Sequence, residues 1–442
     1  MNWLRRNWLY ILAFALPFER IPSAEVALAG HSVTLKPSFV IALVVALVAA
    51  WQVVRSRRLK LTQPDIWLVV YGVVMAASAV TALDRGRSLT VIVATSLVVV
   101  MAMVIERTLP QFNLKIVYQV LVGVAMLMGL IGLYQYIADS FGAPEALTAL
   151  KHIYTKAIFG FPRIQATSLE PLYLASFLLL PVSLLVSRIY ARPTSWKPYA
   201  ILTFLTMIIA LTLSRGGIYA SLAVFAFVIV ALRSLGTWRR LAGMIGSVLA
   251  GAGLAIGLIY VTTHVTSAPT NAVSRYLNQT THLSSSAGSA DSDRTVNRRL
   301  ALEAFKSHPV FGIGIGNFGA YAYDHDPSYT LTNNHTAIVN NEYYEVLAET
   351  GIAGLLALLG FAATVMWQLR RLWAQSLSEG RVWLVGLTGF LLGMCIQYYS
   401  FSTLYIDHLW FGLGLLMGLL AHPEFTIHLG RAKPSQAGPD QS

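Results

Sequence analysis

The chain has 442 residues, 56% of them hydrophobic and only 12% charged, with a mean hydropathy of +0.61; a soluble domain carries roughly 25% charged residues, so that class is excluded. Net charge +12 and pI ≈ 9.7 do not point to nucleic acid, because the basic residues sit in short loops between apolar runs, where membrane topology accounts for them. The single Cys395, inside an apolar run, excludes a disulfide framework and a cysteine metal site.

Apolar runs of about 20 residues, enough to cross a ~30 Å hydrocarbon layer, recur from end to end. In lipid a helix satisfies every backbone N–H and C=O of such a run. The predicted fold is therefore all-α, a polytopic membrane protein of about twelve spans. They lie at approximately 3–19, 37–54, 64–83, 88–105, 114–138, 170–188, 197–214, 216–233, 240–262, 345–368, 382–400 and 404–421. The first stretch lacks a small-residue cleavage site and reads as a retained span, not a removed signal. Alternate loops hold the basic residues: Arg5 and Arg6; Arg55, Arg57, Arg58 and Lys60; Arg107 and Lys115; Arg188, Arg192 and Lys197; Arg233, Arg239 and Arg240; Arg370, Arg371 and Arg381; Arg431 and Lys433. By the positive-inside rule both termini are cytoplasmic. The chain then divides into 1–262, carrying spans one to nine, a long extracytoplasmic loop at 263–344, spans ten to twelve within 345–421, and a cytoplasmic tail at 422–442.

Three outward segments stand out. Residues 139–169 place Leu147, Leu150, Ile153, Tyr154, Ala157 and Ile158 at helical spacing, with Lys151, His152 and Lys156 elsewhere on the wheel. That spacing predicts a helix lying on the outer leaflet. Ser214-Arg215-Gly216-Gly217 is a turn between two spans. The long loop holds a flexible Ser/Ala/Gly-rich stretch at 284–290, then Asp291 and Asp293 open a helix through Phe305. No internal repeat is visible, nor a matched pair of broken spans such as inverted-repeat transporters carry.

From Arg294 the loop becomes polar and dense in motifs. HPVFGIGIGNF occupies 308–318 and NNEYYEVLAETGIAGLLALL occupies 340–359, while upstream lie PRIQATSLEPLYLASFLLL at 162–180 and SRGG at 214–217. This set resembles the O-antigen ligase and polymerase superfamily of bacterial envelope enzymes: its signature loop and following helix, its arginine-led EP motif and its outward arginine turn. The landmarks run from residue 162 to 360, and the first five spans match in hydropathy alone. The resemblance implies a multi-pass, C-type glycosyltransferase of the bacterial inner membrane, independent of metal and cofactor. It would move a glycan from undecaprenyl pyrophosphate to the lipid A core (ligases), to another carrier-linked repeat (polymerases) or to protein. In the ligases a histidine stands beside the asparagine that opens the last motif. Here Asn340 holds that place, and His335 lies five residues earlier.

Displacing pyrophosphate from a sugar builds negative charge on the leaving oxygen, which preorganised cations must meet where no metal does. A guanidinium forks onto phosphate oxygens and stays charged. Arg163, Arg215 and Arg294 are the candidates, with Arg298 and Arg299 in reserve. Plainer readings stand beside them: Arg215 as a snorkelling anchor at a helix end, Arg294 as a solvated helix-face charge. His335 is the candidate base for the acceptor hydroxyl, or else an exposed loop histidine; His308, before Pro309, and His325 are weaker. Asn341, Glu345 and Glu349 are spaced four apart and share one helix face. That face either meets the arginines and supports the acceptor or forms a structural ion pair, and Glu170, beside Pro171, is a similar case.

Other motifs carry less. Gly314-x-Gly316-x-x-Gly319 copies the dinucleotide fingerprint without a surrounding βαβ unit, so its glycines make a phosphate nest or merely turns. Asp291-x-Asp293 reads as a capping pair and not as a metal–nucleotide motif. Asp324-His325-Asp326 lacks further ligands for an ion. Tyr321, Tyr323, Tyr329, Tyr343 and Tyr344 read as interfacial tyrosines before sugar-stacking ones. Two rival classes remain: a transporter or flippase for a polyprenyl-linked or anionic solute, which needs charge along a path through the spans, and an envelope scaffold, which leaves the arginine placement without a reason.

Overall fold

With no water to satisfy the backbone in lipid, the apolar runs fold as helices. A computed structural model describes residues 2–28, 30–56, 61–192, 195–265, 289–331, 335–376 and 378–429. In chain order come α1 (Asn2–Ala15), a hairpin of β1 (Ala24–Leu28) and β2 (His31–Leu35), α2 (Pro37–Ser56), α3 (Gln63–Val80), α4 (Arg85–Thr108) and α5 (Leu114–Ser140). The short α6 (Glu145–Thr148) and α7 (Lys156–Phe159) precede α8 (Pro171–Ala191), α9 (Lys197–Leu211), α10 (Arg215–Ala231) and α11 (Trp238–Val265). Then follow α12 (Ser289–Ser307), α13 (Phe318–His325), α14 (Pro327–Leu331), α15 (Glu342–Trp373), α16 (Ser378–Gln397), α17 (Asp407–Ala421) and α18 (Pro423–Ile427). The two strands pair antiparallel with Ala24 opposite Leu35. A helix underlies each predicted span. Among the described residues seven helices are long and apolar enough to cross a membrane: α3, α4, α5, α8, α11, α15 and α16. The apolar helices α9, α10 and α17 are shorter.

One predicted feature is corrected, and a second falls mostly outside the described residues. The outer-leaflet helix expected within 139–169 is broken into α6, a 3₁₀ turn at His152–Tyr154 and α7. Ala149 turns left-handed (φ 52°) and Thr155 is extended, which ends each piece after one turn. Leu150 and Tyr154 are buried while Leu147 and Ile153 face out, so the apolar residues serve two surfaces and not one stripe. Of the stretch predicted as flexible, 284–288 lies outside the described residues and 289–290 already belong to α12. Asp291 and Asp293 therefore sit inside the opening turns of that helix. The basic residues Arg57, Arg58, Lys60, Arg431 and Lys433, and the tail beyond 429, also lie outside the described residues.

Helix partners are α9 with α11, α4 with α17, α8 with α16, α10 with α16, and α3 with α15. One continuous apolar cluster runs through most of them. The two ends of the bundle differ in chemistry. At one end Arg107 pairs with Asp65 at 2.5 Å, Arg188 and Arg192 both engage Glu379, and Arg240 donates to the Tyr190 carbonyl. At the other end gather the motif residues. There the turn after α1 bonds to the segment before α8 (Arg20 N–H to Thr167 O, 2.9 Å), and the start of α15 bonds to the end of α16 (Glu342 N–H to Tyr398 O, 3.0 Å).

Candidate functional site

The end that gathers the motif residues is organised by a break in α15. Asn341 caps that helix by accepting from the Tyr344 N–H, but at Gly351 the backbone turns to φ 64° and ψ −163°. The break frees carbonyls and amides that a straight helix would pair internally. The loop before α13 takes them up: Ile313 and Gly314 donate to the Ala348 and Glu349 carbonyls, while Ile352 and Ala353 donate to the Pro309 and Val310 carbonyls. So close an approach requires glycine. A Cβ on Gly312, itself at φ +70°, would collide with the Glu349 backbone.

The Glu349 carboxylate completes the joint, accepting from Gly316 N–H at 2.7 Å and Phe318 N–H at 3.0 Å. The loop does form a nest of amides, and the anion in it is the chain's own side chain. Asn317 ties the other side of the loop to the start of α4, accepting from the Asp84 N–H at 2.6 Å and donating to Ser88 Oγ at 2.8 Å. Glu345 accepts from Val339 N–H, and Glu342 from Thr403 N–H, each at 2.8 Å. With Tyr71, Arg87 and Tyr405 the three glutamates line one recess. Arg87 is the arginine lining it.

The three candidate arginines come from separate elements, and Arg215 and Arg294 both lie near enough to Arg163 to act on its charge. Arg163 is half-buried on the segment before α8; its N–H donates to the Tyr154 carbonyl at 2.9 Å, its Nε to the Thr212 carbonyl at 3.3 Å, and its guanidinium lies 5.4 Å from the centre of the Tyr154 ring. Burial pushes the Arg163 guanidinium below its usual range; Arg215 and Arg294 push the same way, against Tyr154 and Glu170. It stays charged at neutral pH all the same. Burial also raises the Tyr154 hydroxyl, as does the Glu170 carboxylate to which it is hydrogen-bonded. Arg163, Arg215, Arg294 and Glu170 thus share one electrostatic neighbourhood. Arg215 is the first residue of α10, whose cap Ser214 accepts from the Gly217 N–H, and Gly216 lies against Ser400 so closely that a Cβ would touch it. Arg294 and Arg298 are one turn apart on α12, and Arg298 sits 4.7 Å over the Tyr399 ring.

The turn at 397–401 is thus a meeting point. Gly216 packs on Ser400, Arg298 covers Tyr399, and Asn341 donates to the Tyr399 carbonyl at 3.0 Å. Asn340 adopts φ 56°, a left-handed conformation that asparagine tolerates better than most residues. His335 is exposed, its ring stacked on Tyr323 with centroids 3.6 Å apart, and its carbonyl lies against Gly319. His308 bonds locally to Ser307. His325 stacks on Tyr321, and Asp326 is engaged by Ser328 and Arg299. Among the described residues no group of three or more His, Cys, Asp or Glu is arranged to hold a metal ion.

Sequence reasoning missed Arg87, Gln135, Tyr399, Lys36 and Asp407. The last two carried a readable signal, being ionisable residues at the edges of apolar runs. Gln135, buried in α5, donates to the Thr148 and Ala166 carbonyls and accepts from the Ala166 N–H, so it supports the Arg163 segment from beneath.

Residues 200–359 match the profile of a family described as O-antigen ligase. The match takes in Arg215, Arg294, His335, Asn341, Glu345 and Glu349, and it begins after Arg163 and Glu170. No curated protein matches the chain.

Proposed function

We propose that this chain, whose residues 200–359 match the O-antigen ligase profile, transfers a glycan from a polyprenyl pyrophosphate, undecaprenyl in bacteria, to an acceptor at the outer face of the inner membrane. The profile match and the apolar helices support a membrane glycan enzyme of the ligase or polymerase kind. The nearness of Arg215 and Arg294 to Arg163, each from its own element, carries the finer reading.

In this reading the acceptor hydroxyl attacks the anomeric carbon while the bond from that carbon to the pyrophosphate oxygen breaks. The proton passes to His335, and the charge left on the carrier is met by the guanidiniums. Three fixed cations supply the field that a divalent ion would otherwise provide, so transfer proceeds in chelator. Glu170 orients Arg163, and Asn341, Glu345 and Glu349 hold the backbone that presents His335 and the glycine-rich loop. The carrier tail enters from lipid, and both termini lie on the arginine-rich, cytoplasmic side.

A polymerase is the second reading, favoured by Asn340 where ligases carry histidine. Purified protein in detergent is given polyprenyl-pyrophosphate glycan with and without lipid A core. Product on the core, abolished by His335→Ala and indifferent to EDTA, identifies a metal-free ligase. Glycan lengthening on the carrier without core identifies a polymerase. No covalent product in either tube, with flux of labelled donor in liposomes, would replace both with a transporter.

A further inference from the structure

A buried ionic cluster lies behind the arginine site, outside the matched residues. Lys36, between β2 and α2, places its Nζ 3.6 Å from Glu19 Oε1 and 3.4 Å from Asp407 Oδ1. Ser38 donates to the other oxygen of Asp407. Glu19, Lys36 and Asp407 are 1%, 6% and 1% exposed. Two carboxylates and one ammonium are thus removed from water together, an arrangement that persists only while each keeps its partner. It joins the turn after α1 to the starts of α2 and α17.

What that turn holds is the arginine-led segment. The Leu169 N–H donates to Glu19 Oε2 at 3.3 Å, Arg20 N–H to the Thr167 carbonyl at 2.9 Å, and Thr167 Oγ1 to the Pro17 carbonyl at 2.9 Å. Residues 163–170 form no regular structure, so no helical or strand ladder sets their geometry. Their shape depends on such outside bonds. Leu169 precedes Glu170, which is hydrogen-bonded to Tyr154 beside Arg163.

We infer that Lys36 is a positioning residue for the donor site: clamped between Glu19 and Asp407, it fixes the turn at 17–20, and through Glu19 it fixes the segment that carries Arg163 and Glu170. The inference rests on the transferase reading for its kinetic consequence but not for its structural one. Without the ammonium, Glu19 and Asp407 are buried carboxyl groups with no cation between them, and they take up a proton or move apart. The Glu19 carboxylate then leaves Leu169, and the guanidinium of Arg163 loses its placement toward the phosphates.

The test combines hydrogen–deuterium exchange with transfer kinetics on wild type, Lys36→Met and Lys36→Arg in detergent. Lys36→Met should accelerate exchange in peptides spanning 163–170 while those spanning 335–345 keep the wild-type rate. It should raise the donor KM by on the order of tenfold to a hundredfold with the acceptor KM unchanged, and Lys36→Arg should restore much of both. Should Lys36→Met fail to fold, Asp407→Asn keeps the shape and leaves Glu19 and Lys36 as a neutral pair. It should give the same pattern at about threefold, a loosened clamp being weaker than a lost one. Exchange at 163–170 that is unchanged, or that rises equally across all outward segments, would overturn the inference. Faster exchange confined to 163–170, in a protein whose wild type transfers no glycan, would sustain the Lys36 clamp and overturn the transferase reading instead.

Discussion

Arg163 is held at its amide, its Nε and its guanidinium face, by the Tyr154 carbonyl, the Thr212 carbonyl and the Tyr154 ring. A lysine there would keep the charge and lose the fork and the stacking surface. Arg163→Lys should therefore lower kcat/KM for the donor by on the order of 10- to 100-fold, about 1.4–2.7 kcal/mol, with the thermal unfolding midpoint unchanged in the same preparation. An unaltered kcat/KM would remove Arg163 from the donor site. At this scale the candidate residues were readable as polar groups standing at the ends of apolar runs. Their partners were not. Nothing in local spacing says that Glu349 faces two loop amides 31 and 33 residues upstream, or that Lys36 meets Asp407 across 371 residues.

Between residues and molecule, the decisive element is the joint between the glycine-rich loop and the broken helix. Four backbone bonds cross it, and each side supplies what the other lacks. Gly312→Ala forces a side chain both into a left-handed backbone and into the Glu349 carbonyl. It should cost about 2–5 kcal/mol, read as a lowered unfolding midpoint in detergent; a midpoint matching wild type would show that the joint yields at no cost. The glycines were legible as turns or a nest, whereas the break at Gly351 was not, since GIAGLLALL has the composition of an ordinary span. The outer segment failed in the opposite sense. Its apolar spacing fits a helix, yet Leu150 and Tyr154 are buried while Leu147 and Ile153 face out, which single turns allow and one continuous stripe does not.

Over the whole molecule, both ends carry arginines, but in different settings. The arginine-rich loops and their acidic partners lie at one end, and the motif residues lie at the other, as alternate crossing would produce. The orientation has a direct check. In a Cys395→Ser background, a cysteine at the exposed Leu147 should react with a membrane-impermeant maleimide in right-side-out vesicles, and one at the exposed Trp238 only in inside-out vesicles. The reverse pattern would invert the topology. A helix was legible at each long apolar run because length and hydropathy alone specify it in lipid, whereas the packing order was not, since any apolar face serves any other there.

The exchange of backbone bonds at Gly351 also bears on how the protein is made. The loop at 309–314 leaves the ribosome before the helix that it completes, so on the proposed topology it is already outside when that helix is threaded into lipid. The receptor for the unpaired peptide groups is then waiting as they arrive. A permuted chain that synthesised α15 first would have to carry those groups through the bilayer alone, so the order of synthesis is itself part of the solution.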